Sequence, residues 1–275
     1  MRAATLRDVA LWEFRAVSRA RWSGVFAIVF AALALSLSYF GMFHTGFSGF
    51  VGFVRTSMSL LSVITLVLPL VALAVGSLLF SGEREGHHLI LAQPVTRSEV
   101  VVGRYLGVGA ALAGSTLVAF GAAGFVIAMR AGTEGWLRYL GIVGLSVLLV
   151  AISLGIGVLL GITSRDRSRA LGGAIIVWGL LVVLYDLVAM GISVMLSGEV
   201  VRPLLLSMVM ANPVDLVRVL GLLLIGARAS LGAPGAVLSA TLSDVGGWVL
   251  LPLAVGLWLV LPLFVACRSF EQQDF

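Results

Sequence analysis

The sequence contains no lysine, a single cysteine (Cys267) and few charged side chains, which make up 11% of its 275 residues. A lone cysteine excludes a disulfide within the chain and any cysteine-rich metal site. The phosphate-binding loop of P-loop ATPases, GxxxxGK[ST], requires a lysine, so this chain does not bind ATP in that way. Chemistry on ATP would have to come from a partner chain.

Hydrophobic residues make up 60% of the chain, and the mean hydropathy is +1.12. A soluble domain carries about 45–50% apolar and about 25% charged residues. The composition therefore excludes a water-soluble globular protein. It predicts an all-α membrane protein with one transmembrane domain over residues 1–275.

Six apolar stretches reach the roughly 20 residues that a helix needs to cross a bilayer. Gly103 with Gly107, and Gly157 with Gly161, have the four-residue spacing that lets membrane helices approach closely. We therefore expect a bundle of six transmembrane helices. The predicted spans lie at about 24–43, 57–80, 101–129, 139–162, 171–196 and 247–266.

Arginine is distributed unevenly between the two sides of these predicted spans. The side that holds residues 1–23 carries twelve arginines in 64 residues, and the opposite side carries six in 72. Basic residues concentrate in cytoplasmic loops, so both termini are predicted to be cytoplasmic. This asymmetry accounts for the net charge of +5 without a nucleic-acid partner.

Residues 6–21 precede the first span and combine an apolar stripe with several arginines. The pattern predicts a helix lying in the membrane interface. The alternative is an arginine-rich flank that only fixes the topology. Glu13 falls inside the apolar stripe and therefore requires a partner, such as an arginine of a neighbouring loop.

The connection between the second and third spans contains a charged turn at 81–88 and a short apolar run at 89–92. Pro94 ends this run, because the residue before a proline disfavours helix. Thr96, followed three residues later by Glu99, matches the capping box that begins a new helix. We predict a short cytoplasmic helix parallel to the membrane, followed by the third span.

The connection 197–246, before the sixth span, is long and apolar. Asn212 followed by Pro213 is typical of a helix start, and Asp215 and Arg218 are spaced to pair within that helix. The helix is too short to cross the membrane, so we predict an interfacial or re-entrant helix on the extracytoplasmic side. A seventh span is the alternative, which the cost of inserting charged residues disfavours.

Asp186 lies about two-thirds of the way along the fifth span. An ionisable residue inside a span is a candidate functional residue; the alternative is a hydrated carboxylate at the outer interface that pairs with Arg202. Seven of the eight methionines lie near the predicted outer side. Thioethers suit Cu(I), but methionine is also a common packing residue, and no metal ligand is assigned.

Three motifs carry a family resemblance: a glutamate-glycine turn, a short segment that ends in proline, and a glycine with a basic residue that opens the third span. They resemble the signature of ABC-2 type transporter permeases, and Trp12-Glu13-Phe14 resembles the elbow helix of that family. The motifs read Gly82-Glu83-Arg84-Glu85-Gly86, Leu91-Ala92-Gln93-Pro94-Val95-Thr96-Arg97 and Gly103-Arg104-Tyr105-Leu106.

This resemblance implies a permease subunit with no catalytic residues and no cofactor of its own. It also implies a cytoplasmic ABC ATPase that holds ATP and Mg²⁺, a second copy of this chain, and a surrounding lipid bilayer. The residues that it assigns to ATPase coupling are Gly82, Glu83, Glu85, Gly86, Pro94 and Arg97, and it assigns Glu13 to the elbow helix.

Two later segments, 185–188 and 211–218, resemble the permease subunit of the transporter that matures nitrous oxide reductase. The narrower resemblance implies an extracytoplasmic accessory protein and a role in assembling a copper–sulfur centre. It makes four residues candidates for a substrate pathway or a partner contact: Asp186, Asn212, Asp215 and Arg218.

Two other classes of function stay open at the level of the sequence. An ion-coupled secondary transporter has several ionisable residues deep in its spans and an internal repeat, whereas Asp186 is nearly alone and no repeat is evident. A non-transporting scaffold that anchors an ATPase and transmits its conformational change needs the same coupling segment as a transporter.

Overall fold

In the computed structural model, residues 3–43, 50–81, 96–195, 201–227 and 245–272 are described, and within these ranges the secondary structure is helical. The predicted all-α class is confirmed for this part of the chain. The helices are α1 (Ala3–Arg19), α2 (Arg21–Phe43), α3 (Phe50–Phe80), α4 (Arg97–Thr163), α5 (Arg167–Gly179), α6 (Tyr185–Met195), α7 (Val201–Ala211), α8 (Pro213–Leu224) and α9 (Val245–Glu271). A π-helical turn, Leu180–Leu184, joins α5 to α6.

Six stretches of these helices are long and apolar enough to cross a membrane, which confirms the predicted number of spans. The bounds of these stretches differ from the predicted ones by up to five residues, in both directions. The spans are Ser23–Phe40, Gly52–Phe80, Arg97–Phe125, Gly135–Thr163, Arg167–Ile192 and Val249–Glu271.

The third and fourth spans belong to one helical run, α4. The chain nevertheless reverses direction within it. This reversal is shown by a hydrogen bond of 2.6 Å that the Tyr139 hydroxyl donates to the carbonyl of Phe120. Nineteen residues of straight helix would separate these two residues by about 28 Å. The connection predicted at 130–138 is therefore a helical bend and not an irregular loop.

α4 lies at the centre of the bundle and packs against α1, α2, α3 and α9. Its contact with α3 is close because two glycines of α4 face the α3 backbone. A Cβ added at Gly157 would lie 2.5 Å from the carbonyl oxygen of Leu73, and one at Gly161 equally close to that of Ser77. The close approach expected from the spacing of this glycine pair is confirmed.

Hydrogen bonds define the two ends of the bundle. At the first, which we call the Arg97 end, the Arg167 Nε donates to the Ser81 carbonyl at 3.4 Å and Arg97 contacts the last turn of α9. At the opposite end, the Asp186 end, the Tyr185 hydroxyl donates to the carbonyl of Met208 in α7 at 2.8 Å.

Candidate functional site

Helix α1 crosses the first turns of α4 at the Arg97 end. Two glycines of α4 make this crossing close: a Cβ at Gly103 would lie 2.8 Å from Cγ1 of Val9, and one at Gly107 would lie 2.8 Å from Cβ of Glu13. The two glycines predicted to allow close helix contact therefore let α1 pack directly against the third span.

An ion pair lies inside this crossing. The Nε of Arg104 donates to Oε1 of Glu13 at 2.5 Å, and the two residues are only 7% and 4% exposed. The Arg104 guanidinium also stacks over the ring of Phe80, 5.0 Å from its centroid. The prediction that Glu13 needs an arginine partner is confirmed, but that arginine lies in the third span and not in a loop.

The start of α4 is fixed by a capping box. The backbone N–H of Thr96 donates to Oε2 of Glu99 at 3.1 Å, and the backbone N–H of Glu99 donates to the Thr96 hydroxyl at 3.4 Å. Arg97, in the first turn, donates through Nη1 to the carbonyl of Glu271 at 3.0 Å. The predicted cap is confirmed, and Arg97 ties the start of the third span to the end of the sixth.

The remaining coupling residues, and the short helix predicted between the second and third spans, lie outside the described part of the chain. They are Gly82, Glu83, Glu85, Gly86 and Pro94. The described chain meets this segment at Ser81 and at Thr96. Both attachment points contact other spans, since the Ser81 carbonyl accepts from Arg167 and the residue after Thr96 contacts α9.

The Asp186 end contains a second polar cluster, which begins with Asn212. Its Oδ1 accepts from the backbone N–H of Val214 at 3.0 Å and so caps α8, as the sequence predicts. Its Nδ2 donates to the carbonyl of Leu181 at 2.7 Å and to Oδ2 of Asp215 at 3.1 Å. Leu181 lies in the π-helical turn, so one buried amide joins α8 to the fifth span.

Arg218 completes this cluster by contacting two carboxylates. Its Nη1 donates to both carboxylate oxygens of Asp186, at 2.8 and 2.7 Å, and lies 3.4 Å from Oδ1 of Asp215. The pairing of Asp215 with Arg218 is confirmed. Asp186 pairs with Arg218, and the side chain of Arg202, the alternative partner, lies outside the described part of the chain.

The structure therefore brings together the four residues that the sequence marked at this end. We call Asp186, Asn212, Asp215 and Arg218 the outer cluster. What sequence reasoning missed is the ion pair between Asp186 and Arg218, because residues 32 positions apart leave no periodic signal of their contact. The side chains of Asp186 and Arg218 are 42% and 29% exposed, so this pair is open on one side.

A cleft between the second and fifth spans opens onto the outer cluster. Both spans depart from regular α-helix here: Pro69 interrupts the hydrogen bonding of α3, and the fifth span contains the π-helical turn Leu180–Leu184. The indole N–H of Trp178 donates at 2.9 Å to the carbonyl of Leu66, three residues before Pro69. The cleft has a volume of about 520 Å³, and its polar lining residues are Ser62, Thr65, Asp186 and Arg218.

Helices α7 and α8 meet at an angle of 109° at Asn212. The predicted helix after Pro213 is confirmed, and α7 adds a second short helix to the same connection. The two together are apolar enough to count as a seventh span, but so sharp a bend makes them a broken or re-entrant pair. Among the described residues, no group of three or more His, Cys, Asp or Glu side chains is arranged to hold a metal ion.

A family model described as "ABC-2 family transporter protein" matches residues 8–275. The chain belongs to this family. A "Probable ABC transporter permease protein NosY" of Pseudomonas aeruginosa is 31% identical over 266 residues, which cover 93% of this chain and 94% of the relative. A protein with the same name from Stutzerimonas stutzeri is 32% identical over 222 residues, or 78% of this chain and 80% of the relative. The chain is a multi-pass membrane permease subunit of an ABC transporter.

Proposed function

We propose that this permease converts ATP hydrolysis by a separate cytoplasmic ATPase into movement of its spans, for export or for conformational signalling across the membrane. The observation that carries the proposal is the family match over residues 8–275 of a chain that lacks the lysine of a phosphate-binding loop. ATP and Mg²⁺ belong to the ATPase, and this chain holds no cofactor and performs no catalysis. A second copy of the chain completes the membrane part.

In this proposal the Arg97 end faces the cytoplasm and the Asp186 end faces outward, in the cytoplasmic (inner) membrane. The arginine asymmetry supports this orientation, with twelve basic residues in 64 on one side and six in 72 on the other. In this orientation α1, which crosses the first turns of α4 at the Arg97 end, lies at the cytoplasmic lipid headgroups. α1 is then the elbow helix.

The ATPase docks on the segment between Ser81 and Thr96, where Glu83 and Glu85 offer carboxylates. The anchoring of this segment supports the proposed transmission of force. Its first flank contacts the start of the fifth span through Arg167, and its second flank contacts the sixth span through Arg97. A displacement of this segment by the ATPase would therefore be transmitted directly to the fifth and sixth spans and shift the bundle between two states.

The outer cluster serves as a contact for an extracytoplasmic accessory protein or as part of the pathway. Charged groups are costly in lipid, and the partly exposed Asp186 and Arg218 therefore face protein or water in the working assembly. The resemblance to the permease that serves nitrous oxide reductase rests on the segments that form this cluster. We accordingly propose maturation of a copper–sulfur centre as the biological role.

Co-purification with the ATP-binding subunit tests the docking step. Glu83→Ala and Glu85→Ala are expected to reduce recovery of the ATPase on the tagged permease severalfold, or to leave binding intact and uncouple hydrolysis from transport. Asp8→Ala is the matched control, because Asp8 is an exposed carboxylate, 68% accessible, on α1 at the same end. Unchanged recovery and transport in both glutamate variants would refute docking at this segment.

A further inference from the structure

An apolar groove of about 700 Å³ runs between the third, fourth and sixth spans. Its floor consists of small residues, Gly109, Ala110 and Ala113, and Leu263 and Phe264 of α9 form one wall. The groove lies on a different part of the bundle from the outer cluster. It shares no lining residue with the cleft between the second and fifth spans. Its size falls within the range of small-molecule sites in proteins, roughly 300–1,000 Å³.

The groove offers almost nothing to a polar ligand. The hydroxyl of Tyr105, one of its lining residues, already donates to the carbonyl of Ala151 at 3.0 Å. The other lining residues are apolar apart from the thiol of Cys267. A ligand that fits this lining is a hydrocarbon chain.

The length of the groove matches one leaflet of a bilayer. Its lining residues on α4 extend from Val102 to Ala113, which is about 16 Å of helix. Half of the hydrocarbon thickness of a bilayer is about 15 Å. An acyl chain that enters at the Arg97 end would therefore lie along the groove to the middle of the membrane.

A cation stands at the mouth of the groove. The Arg268 guanidinium stacks over the ring of Phe264, 5.6 Å from its centroid, one helical turn beyond the groove wall and toward the Arg97 end. In the described ranges it has no carboxylate partner. An arginine at the end of an apolar groove suits the phosphate of a lipid headgroup, which its planar guanidinium binds in a bidentate manner.

We propose that the groove is a binding site for one anionic glycerophospholipid, with an acyl chain between α4 and α9 and its headgroup on Arg268. The occupant fills a trough that small side chains leave open, and it lies against the same last turn of α9 that Arg97 anchors. The bound lipid therefore becomes part of the packing between the third and sixth spans.

Native mass spectrometry of the permease tests this site after extraction from vesicles of phosphatidylcholine, alone or mixed with phosphatidylglycerol of the same chains. The wild-type permease is expected to retain phosphatidylglycerol selectively. Arg268→Gln should reduce that selectivity about fivefold, the effect of one arginine at a lipid surface. Arg165→Gln is the control, since Arg165 is exposed at the same end and does not border the groove.

A second pair of variants tests the groove itself. Ala110→Phe places a ring on its floor and should abolish retention of both lipids, whereas Val118→Phe, on an exposed position of α4 outside the groove, should retain them. Equal loss in Arg268→Gln and Arg165→Gln, or full retention in Ala110→Phe, would overturn the proposal. Efficient oxidative cross-linking between the Cys267 residues of two copies would overturn it too, because the groove would then be a protein interface.

Discussion

Glu13 and Arg104 form an ion pair that is almost closed to solvent, between a helix outside the spans and the third span. Such pairs add little net stability compared with an apolar contact of the same shape, because both charges lose their hydration. They are nevertheless costly to break, since the remaining partner stays buried without compensation. The pair therefore specifies how α1 sits on the bundle more than it stabilises the fold.

Removal of either partner is expected to destabilise the permease by about 3–5 kcal/mol. Glu13→Gln should therefore lower the midpoint of thermal unfolding in detergent, whereas Asp8→Asn, at an exposed position of the same helix, should leave it unchanged. The double variant Glu13→Leu with Arg104→Met should recover most of the loss. A double variant as unstable as Glu13→Gln would contradict this account of the pair.

Arg218 is shared between Asp186 and Asp215, so the three charges respond unequally to substitution. Asp186→Asn leaves Arg218 beside Asp215 and should have a small effect. Arg218→Met leaves two carboxylates without their cation and should cost about 1–3 kcal/mol at this partly exposed site. Unfolding midpoints of the two variants measure the difference, and equal losses would mean that Asp215 does not share the arginine.

At the scale of helices, the contact between α3 and α4 depends on glycines that face carbonyl groups. Gly157 and Gly161 approach the backbone of α3 so closely that a methyl group at either position requires the helices to separate. Gly114 lies in the same helix with open space around its Cβ position. The two kinds of glycine therefore predict opposite effects of one substitution.

Gly157→Ala is expected to destabilise the bundle by about 1–3 kcal/mol through overpacking. Gly114→Ala is expected to be neutral or to stabilise by up to about 1 kcal/mol, because alanine favours helix more than glycine does. Thermal unfolding of both variants under identical detergent conditions compares them. Destabilisation of similar size in both would show that helix packing is not the cause.

The helices were predictable where the signal is local. The apolar runs determine the six spans, the pair Thr96 and Glu99 determines where the third span starts, and Asn212 with Pro213 determines where α8 starts. These features need only neighbouring residues. The bent helical connection between the third and fourth spans was not predictable, because tertiary contacts such as that of Tyr139 with Phe120 hold it.

The candidate sites were predictable in their members but not in their contacts. A carboxylate in an apolar helix face requires a partner, and this rule marked Glu13 and Asp186. It did not identify Arg104 or the pairing of Asp186 with Arg218, because helices distant in sequence supply those arginines. Charge requirements are thus visible in a sequence, whereas the helix that satisfies them is decided by packing.

At the scale of the whole molecule, the permease connects a proposed docking segment at one end to a polar cluster at the other. The fifth span carries much of this connection, since it contacts Ser81 through Arg167 and the outer cluster through Leu181 and Asp186. The π-helical turn contains Leu181, at the contact with the outer cluster, and Pro69 lies in the neighbouring helix α3. Departures from regular helix of this kind are typical of functional sites and hinges.

The most direct test of the account is whether ATP in the partner moves this chain. Cys267 is the only cysteine, so a spin label on it reports the distance between two copies in the assembled transporter without further substitution in this chain, provided that the ATPase carries no reactive cysteine. We predict that ATP trapped in the ATPase shifts this distance in the wild-type permease and not in the Glu83→Ala, Glu85→Ala double variant. A distance that is the same with and without trapped nucleotide in the wild type would contradict the central claim.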